Sequence, residues 1–368
     1  MFDFSFYRGK KVLVTGHTGF KGSYLCEALL KYGAELTGYA LEPPTDPSLF
    51  ELCGLRKRMN SVQGDIRDLV YLRRIFEETQ PEIVIHMAAQ PIVRESYKRP
   101  VETYETNVMG TVNLLECCRL TQSVKSVVNV TTDKVYRNME WDRGYVETDT
   151  LDGYDPYSNS KSCSELVTHS YIQSFFRGQR DIAVSTCRAG NVIGGGDFAK
   201  DRIIPDCIRA MERGEEIIVR NPYSVRPYQH VLEPVCTYLM IAMEQFKDPS
   251  LADCYNVGPE DSDCYSTGKL VDLFCKTWNE TEGSSERSNY KASWKNVSDQ
   301  GPHEAGFLCL NCDKLKHTFN WKPTWDVPEA IEKIVQFAKG KLDGRDLKEI
   351  LTETVDSYFD VMETINHE

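Results

Sequence analysis

Along the first half of the chain, short apolar runs rich in Val and Ile alternate with longer stretches whose apolar residues recur at helical spacing. This alternation is the mark of a parallel sheet with crossover helices. It predicts strands over Lys11 to Thr15, Glu35 to Tyr39, Glu82 to Met87, Ser126 to Thr131 and Asp181 to Cys187, with a third strand region ahead of Asp65. Helical patterns such as 68–79 and 101–118 lie between them. The expected class is α/β, a Rossmann-type doubly wound parallel sheet. After Arg188 the rhythm breaks: Gly194, Gly195 and Gly196 are consecutive, and Pro205, Pro222 and Pro227 follow. Such breakers mark loops and a change of architecture, so a smaller C-terminal α/β region is expected from Ala189 onward. The polar stretch 279–289 reads as an exposed loop.

Composition narrows the partners. Lys plus Arg is 43, Asp plus Glu is 55, and the net charge is -12. Nucleic acid and anionic membranes both need a basic surface, so neither is expected. A small anionic substrate remains compatible, because a few local arginines hold a diphosphate inside an acidic protein. The opening residues, Met-Phe-Asp-Phe-Ser-Phe-Tyr-Arg-Gly-Lys-Lys, show no basic segment followed by an apolar run, and no stretch approaches the length of a membrane span. A cytoplasmic protein is expected, with its 13 cysteines as reduced thiols. Cys309 and Cys312 form a lone Cys-x-x-Cys with neither a second close pair nor histidines at ligand spacing, so no metal site is expected.

The chemistry-bearing motifs fall at predicted strand ends. Thr15-Gly16-His17-Thr18-Gly19-Phe20-Lys21-Gly22 directly follows the first strand and opens a helix. A glycine at the strand end permits the tight turn, and the next lets backbone approach a pyrophosphate seated on the helix N-terminus. Gly16, Thr18, Gly19, Phe20 and Gly22 are therefore candidate dinucleotide contacts. Asp65 and Ile66 follow the third strand region, where a carboxylate could accept a hydrogen bond from an adenine amine. His86-Met87-Ala88-Ala89-Gln90 ends a strand with small residues, so Ala88, Ala89 and Gln90 leave room for a cofactor across the sheet edge. After the second strand the first acid is Glu42, and no arginine stands beside it in the local sequence to favour a 2′-phosphate. NAD is expected rather than NADP.

Three Tyr-x-x-x-Lys pairs occur: Tyr7/Lys11, Tyr157/Lys161 and Tyr265/Lys269. Only Tyr157/Lys161 starts a helix after a strand of the regular series. On a helix, positions i and i+4 share a face, so the ammonium can approach both the phenol and a cofactor ribose. A nearby cation is expected to lower the phenol toward general-base range. The preceding strand ends in Thr131-Thr132-Asp133-Lys134, at the sheet edge where such folds react. The Thr132 hydroxyl, Asp133 and Lys134 join Tyr157 and Lys161 as catalytic candidates.

On these residues, and on Gly-Asp-Ile-Arg-Asp (64–68), Asn-Val-Met-Gly-Thr-Val (107–112), Gly-Tyr-Asp-Pro-Tyr-Ser-Asn-Ser-Lys (153–161), Arg-Ala-Gly-Asn-Val-Ile-Gly-Gly-Gly-Asp (188–197), Asp-Arg-Ile-Ile-Pro-Asp (201–206) and Arg-Pro-Tyr-Gln-His-Val-Leu-Glu-Pro (226–234), nearly the whole chain resembles the CDP-glucose 4,6-dehydratases of the extended short-chain dehydrogenase/reductase family. The glycine and Tyr-Lys motifs belong to the whole superfamily, whereas 188–206 and 226–234 are more specific. The resemblance implies transient oxidation of a nucleotide-diphosphate sugar at C-4 with NAD, loss of water across C-5/C-6 and hydride return to C-6. Tyr157 would take the C-4 hydroxyl proton, and Asp133 would be the acid for the departing hydroxyl. Lys134 would be the C-5 base, where dTDP-glucose dehydratases carry Glu, provided desolvation makes it neutral. Asn191, Arg226 and Arg202 would hold the diphosphate. It also implies residues 1–188 as the NAD-binding domain, with about 226–258 returning to it. Residues 189–345 would be mainly nucleotide-sugar-binding and 346–368 a helical tail. A homodimer through the helices after the fourth and fifth strands, or a homotetramer, is implied as well. Two rivals share these motifs. A UDP-sugar 4-epimerase needs the tyrosine and NAD but no acid/base pair beside the Thr, and a catalytically dead cofactor binder would be expected to have lost the tyrosine or the glycines.

Overall fold

A computed structural model describes residues 2–141, 143–178, 180–260, 263–297 and 308–365. Its centre is a seven-stranded sheet in the order β10-β6-β5-β4-β1-β2-β3. The strands are β1 (Lys11–Thr15), β2 (Glu35–Ala40), β3 (Asn60–Gln63), β4 (Ile83–His86), β5 (Ser126–Val130), β6 (Ala183–Ala189) and β10 (Cys254–Val257). Every pairing in this sheet is parallel. The regular series, expected to end at Asp181 to Cys187, therefore gains one more strand from far along the chain. Between β6 and β10 the chain forms β7 (Asn191–Ile193), β8 (Ile217–Val219) and β9 (Val225–His230); β11 (Cys264–Ser266) and β12 (Trp294–Asn296) follow. These build two small sheets, β11-β9-β7 and β12-β8.

Helices α1 (Phe20–Lys31), α2 (Leu49–Leu52), α3 (Leu69–Thr79), α4 (Val93–Lys98), α5 (Pro100–Tyr104), α6 (Gly110–Leu120) and α7 (Pro156–Tyr171) accompany the first six strands. Then come α8 (Ile203–Arg213), α9 (Leu232–Lys247), α10 (Thr267–Glu280), α11 (Asp313–Phe319), α12 (Val327–Leu342) and α13 (Leu347–Ile365). Side chains alternate across a strand, and the core divides accordingly. Val12, Val14, Val128 and Val130 face α1, α9 and α13 through Leu25, Leu29, Val235, Leu239, Val355 and Phe359. Leu13, Val84 and Val127 face α3 and α6 through Leu72, Phe76, Leu114 and Leu115. A separate core under the small sheets joins Ile208, Val219, Tyr228, Phe274 and Ile331. Among the described residues no helix is long and apolar enough to cross a membrane.

Two local expectations change, over 101–118 and 279–289. The stretch 101–118 is not one helix: α5 and α6 are joined by a π-turn, Glu105–Met109. Asn107 in that turn bonds the Gln90 N–H and carbonyl and the Ser160 hydroxyl, so the bulge ties the β4 loop to α7. The C-terminal segment is a packed helix, with Thr352 of α13 donating to Glu27 of α1 at 3.0 Å; residues 366–368 of the expected tail lie outside the described residues. Nor is 279–289 simply an exposed loop. Its first two residues end α10, and buried Ser288 donates to Asp343 at 2.7 Å while the N–H groups of Ser284 and Ser285 donate to the same carboxylate at 2.9 Å. Periodicity missed this because a single charged acceptor collects the loop's donors.

Burial alone would push the Asp343 carboxyl up, but the N–H of Ser284 and the Ser288 and Ser285 donors outweigh it and hold the group well below the usual carboxylate range. Its folded-state pKa is thus depressed, so its stabilisation is present above the unfolded pKa and lost as pH falls through the folded one. Asp343→Ala should cost about 1–3 kcal/mol at neutral pH, read as a lowered thermal midpoint, with the gap to the parent protein closing in acid. An equal gap at every pH would refute the assignment.

Candidate active site

Strand order reverses between β1 and β4, and the crevice beyond the carboxyl ends of two such strands is where open α/β sheets bind ligands. A cleft of about 2270 Å³ opens there. Gly16 sits at φ +76°, and a Cβ on it would lie 2.8 Å from the Ala88 nitrogen; only glycine lets the two strand-end loops close together. A Cβ on Gly22 would meet the Gly16 carbonyl at 2.4 Å. Gly19 caps α1 without any side-chain hydrogen bond, so its first N–H groups have no cap partner, as pyrophosphate binding requires. Gly16, Thr18, Gly19, Phe20, Gly22, Asp65, Ile66, Ala88 and Ala89 all line the cleft. The dinucleotide cradle fits NAD on these residues.

Two details differ from the sequence reading. Gln90 does not line the cleft: its amide is spent on Thr103 and on the Ile92 N–H, which shape the loop. An arginine does stand near the end of β2, since Arg56 arrives from later in the chain. It bonds Glu42 at 2.8 Å and Glu51 at 2.5 Å, so two carboxylates answer its charge and Glu42 still lines the cleft. Asp65 is held below the usual carboxylate range, first by Arg67, and keeps a charged acceptor at the rim.

The catalytic candidates converge from two elements. Asp155 caps α7 by accepting from the Ser158 N–H at 3.0 Å, and Pro156 occupies the first turn. Together they start the helix so that Tyr157 falls at the mouth of the cleft, with Lys161 one turn below. Lys161 Nζ donates to the Val130 carbonyl at 3.0 Å. Beyond β5, Thr132 donates to Asp133 Oδ1 at 2.9 Å and Lys134 Nζ to the same oxygen at 2.8 Å. Asp133 is fully buried, and its Oδ2 has no partner. Lys134 also reaches Asn191 Oδ1 at 3.5 Å. On the far wall Arg202 pairs with Asp197 at 3.1 Å, and buried Arg226 lies on β9 and lines the cleft. The other two tyrosine–lysine pairs stand apart: the Tyr7 hydroxyl donates to the Leu239 carbonyl in the core, and neither Tyr265 nor Lys269 lines the cleft.

Burial sets the electrostatics. It pushes the Tyr157 phenol up to about 12, with a hydrogen bond shared with Thr132 pulling the other way. The expected lowering by Lys161 is not seen among the influences on the phenol, where burial comes first; the ammonium is turned to the Val130 carbonyl. Lys161 itself is lowered to about 8 by burial, with Glu165 opposing. Lys134 is 27% exposed and ion-paired to Asp133.

A family model described as GDP-mannose 4,6 dehydratase matches residues 13–334. The CDP-glucose 4,6-dehydratase of Salmonella typhimurium is 47% identical over 352 residues, covering 94% of this chain and 95% of that protein. The chain belongs to this nucleotide-sugar 4,6-dehydratase family, within the extended short-chain dehydrogenase/reductases. The dTDP-D-glucose 4,6-dehydratase of Mus musculus is 26% identical over 89% of this chain and 88% of its own. Among solved structures, dTDP-glucose 4,6-dehydratase from Bacillus anthracis in complex with NAD superposes with TM-score 0.74 at 20% identity, over 92% of this chain and all of that one. UDP-glucose 4-epimerase from Thermotoga maritima with UDP-glucose does so with TM-score 0.74 at 21% identity, over 90% and 99%. At these identities the two structures show the fold.

Lys21 escaped the motif reading. It lies between two of the motif glycines, lines the cleft and donates to the Tyr238 hydroxyl at 3.2 Å. Burial, then Arg202 and Lys161, lower it to about 7. A charge inside a glycine motif was the available signal. For the cradle itself, Gly16→Ala should weaken NAD binding on the order of tenfold or more, because the added Cβ strikes backbone rather than a flexible side chain. Titration of NAD by calorimetry checks it; an affinity within twofold of the parent would remove Gly16 from the site.

Proposed function

We propose that the chain converts CDP-glucose to CDP-4-keto-6-deoxyglucose with NAD, as a hydro-lyase. The carrying observation is the Asp133–Lys134 pair at the β5 end. It is buried on one side, beside Tyr157, and offers an unpartnered carboxylate oxygen that a 4-epimerase has no need of. When bound, NAD supplies the hydride acceptor and donor. The glycine loops orient it at the β1/β4 crevice, and Glu42 suits the ribose hydroxyls of NAD over a 2′-phosphate. Tyr157, with Thr132, takes the proton of the C-4 hydroxyl. The resulting 4-ketone acidifies C-5. Transfer of the Lys134 proton to Asp133 across their 2.8 Å contact would leave a neutral amine to receive the C-5 proton and a carboxylic acid to deliver one to the departing C-6 hydroxyl. Asn191, Arg202 and Arg226 line the wall suited to a diphosphate, and Lys134–Asn191 contact joins the two halves of the site.

In this reading residues 1–188, with about 226–258, hold the cofactor, and 189–345 mainly hold the nucleotide sugar. Val101, Tyr104, Met109 and Leu166 on α5, the π-turn and α7 are exposed, which supports a homodimer packed through those helices, or a homotetramer built from it. The reading places the enzyme in the cytoplasm, in deoxysugar synthesis for polysaccharide.

Tyr157→Phe should lower turnover by about two to four orders of magnitude while CDP-glucose still binds. Turnover close to the parent rate would remove the tyrosine from the chemistry. In deuterium oxide the product should carry deuterium at C-5 and none at C-6 beyond background, since the C-5 proton meets solvent through a side chain and the migrating hydride does not. Asp133→Asn should suppress water loss. An undehydrated sugar inverted at C-4, with no solvent label, would replace this reading with the 4-epimerase.

A further inference from the structure

Helix α7 meets the end of β5 along three successive turns. Tyr157 bonds Thr132, Lys161 donates to the Val130 carbonyl at 3.0 Å, and Glu165 Oε1 accepts from the Thr131 hydroxyl at 2.5 Å. The spacing i, i+4, i+8 keeps all three on one helix face, and their partners are three consecutive residues of one strand end. The other carboxylate oxygen of Glu165 accepts from Thr186 at 2.6 Å and from Arg188 Nη2 at 3.0 Å, both on β6. Arg188 in turn donates to the Tyr136 hydroxyl at 2.8 Å and the Glu147 carbonyl at 2.9 Å.

The Glu165 and Arg188 side chains are 3% and 4% exposed. A buried ion pair is poor economy as a stabiliser, because apolar side chains of like volume fill such a place as well or better. Here Arg188 Nε is also left without a partner, an uncompensated cost. Packing therefore does not explain the pair, whereas its place does: Thr131 directly precedes Thr132 and Asp133, and Glu165 lies one turn beyond Lys161. We infer that Glu165 is a positioning residue for the reaction, anchoring Thr131 so that Thr132 and Asp133 are presented to the sugar, and balancing with Arg188 the buried charge beside Lys161.

This rests on the dehydratase reading above. Lys161 is lowered by burial and Glu165 opposes that. Other ionisable groups face the pair. Lys21 from α1 and His86 from β4 feel Lys161. Tyr136, Cys187 on β6 and Cys254 on β10 feel Glu165. None of these supplies a second carboxylate. Glu165→Gln keeps an oxygen for Thr131 but leaves the Arg188 charge unanswered, so Lys161 should give up its proton at lower pH.

The test is the pH profile of CDP-glucose dehydration by the NAD-loaded enzyme, for the parent, Glu165→Gln, the double variant Glu165→Gln/Arg188→Met, and Thr131→Val. The parent is the control for the reading itself: no 4-keto product from it at any pH is a failure of the proposed function, visible before any variant is compared. With the parent active, Glu165→Gln should move the alkaline limb of kcat acidward by about one pH unit, with KM within about twofold. The double variant, with no buried charge, should recover more than half of that displacement. Thr131→Val, which keeps shape and removes only the hydroxyl, should lower kcat about tenfold or more through misplacement of the strand end and leave the limb where it is. An unmoved limb in a folded Glu165→Gln, or a limb in the double variant still displaced by the full amount, overturns the charge-balancing role. Parent-like kcat in Thr131→Val overturns the anchoring role. If Glu165→Gln does not fold, the double variant decides the charge role alone, and a limb displaced by a full unit there overturns it.

Discussion

Lys161 donates to the Val130 carbonyl from a buried position, and the rest of the site is arranged around that contact. It docks α7 against the end of β5 at one height and one rotation. The helix presents a row of small hydroxyl residues rather than an apolar stripe, and each has a partner. Ser160 donates to the Tyr157 carbonyl, Ser162 to the Val135 carbonyl, and Asn129 reaches both Ser164 and Thr168. Buried polar groups are mostly paired, and this row of paired hydroxyls, with only Asn129 Oδ1 of the residues named here left over, admits one docking position where apolar packing would tolerate several. Tyr157 and Thr132 meet because the helix cannot slide.

Cations gather locally within a cleft whose lining, like the whole chain, carries more carboxylates than basic side chains. The net charge is -12, yet Lys21, Lys134, Lys161, Arg202 and Arg226 gather at one cleft. Several of these cations are answered by carboxylates, as in Asp133–Lys134 and Asp197–Arg202. Lys21 and Lys161 are instead lowered by burial. A few local cations of this kind suit an anionic group without making the surface basic.

The dinucleotide cradle obeys a steric constraint of a different kind. Two strand-end loops approach closely enough that a single methyl group on Gly16 would strike the Ala88 backbone. The glycines are therefore geometric necessities, and Asn107 in the π-turn holds the opposing loop from behind.

Much of this was legible in the chain itself. Strands buried on both faces announce themselves as Val- and Ile-rich runs, the glycine spacing and its strand-to-helix setting mark the cradle, and strand context selects Tyr157/Lys161 over two identical spacings. What the chain alone left undecided were the partners that arrive from elsewhere. Arg56 reaches Glu42 from 14 residues away, Glu165 reaches Thr131 from 34 away, and Asp343 gathers Ser284, Ser285 and Ser288 across more than 50. Sheet order, the addition of β10 to the sheet and the state of the Tyr157 phenol belong with them. Periodicity and spacing record which residues are near in the chain and which must leave water. Which charge meets which, and whether burial or a neighbouring cation governs a phenol, depends on distances that exist only once the elements have packed.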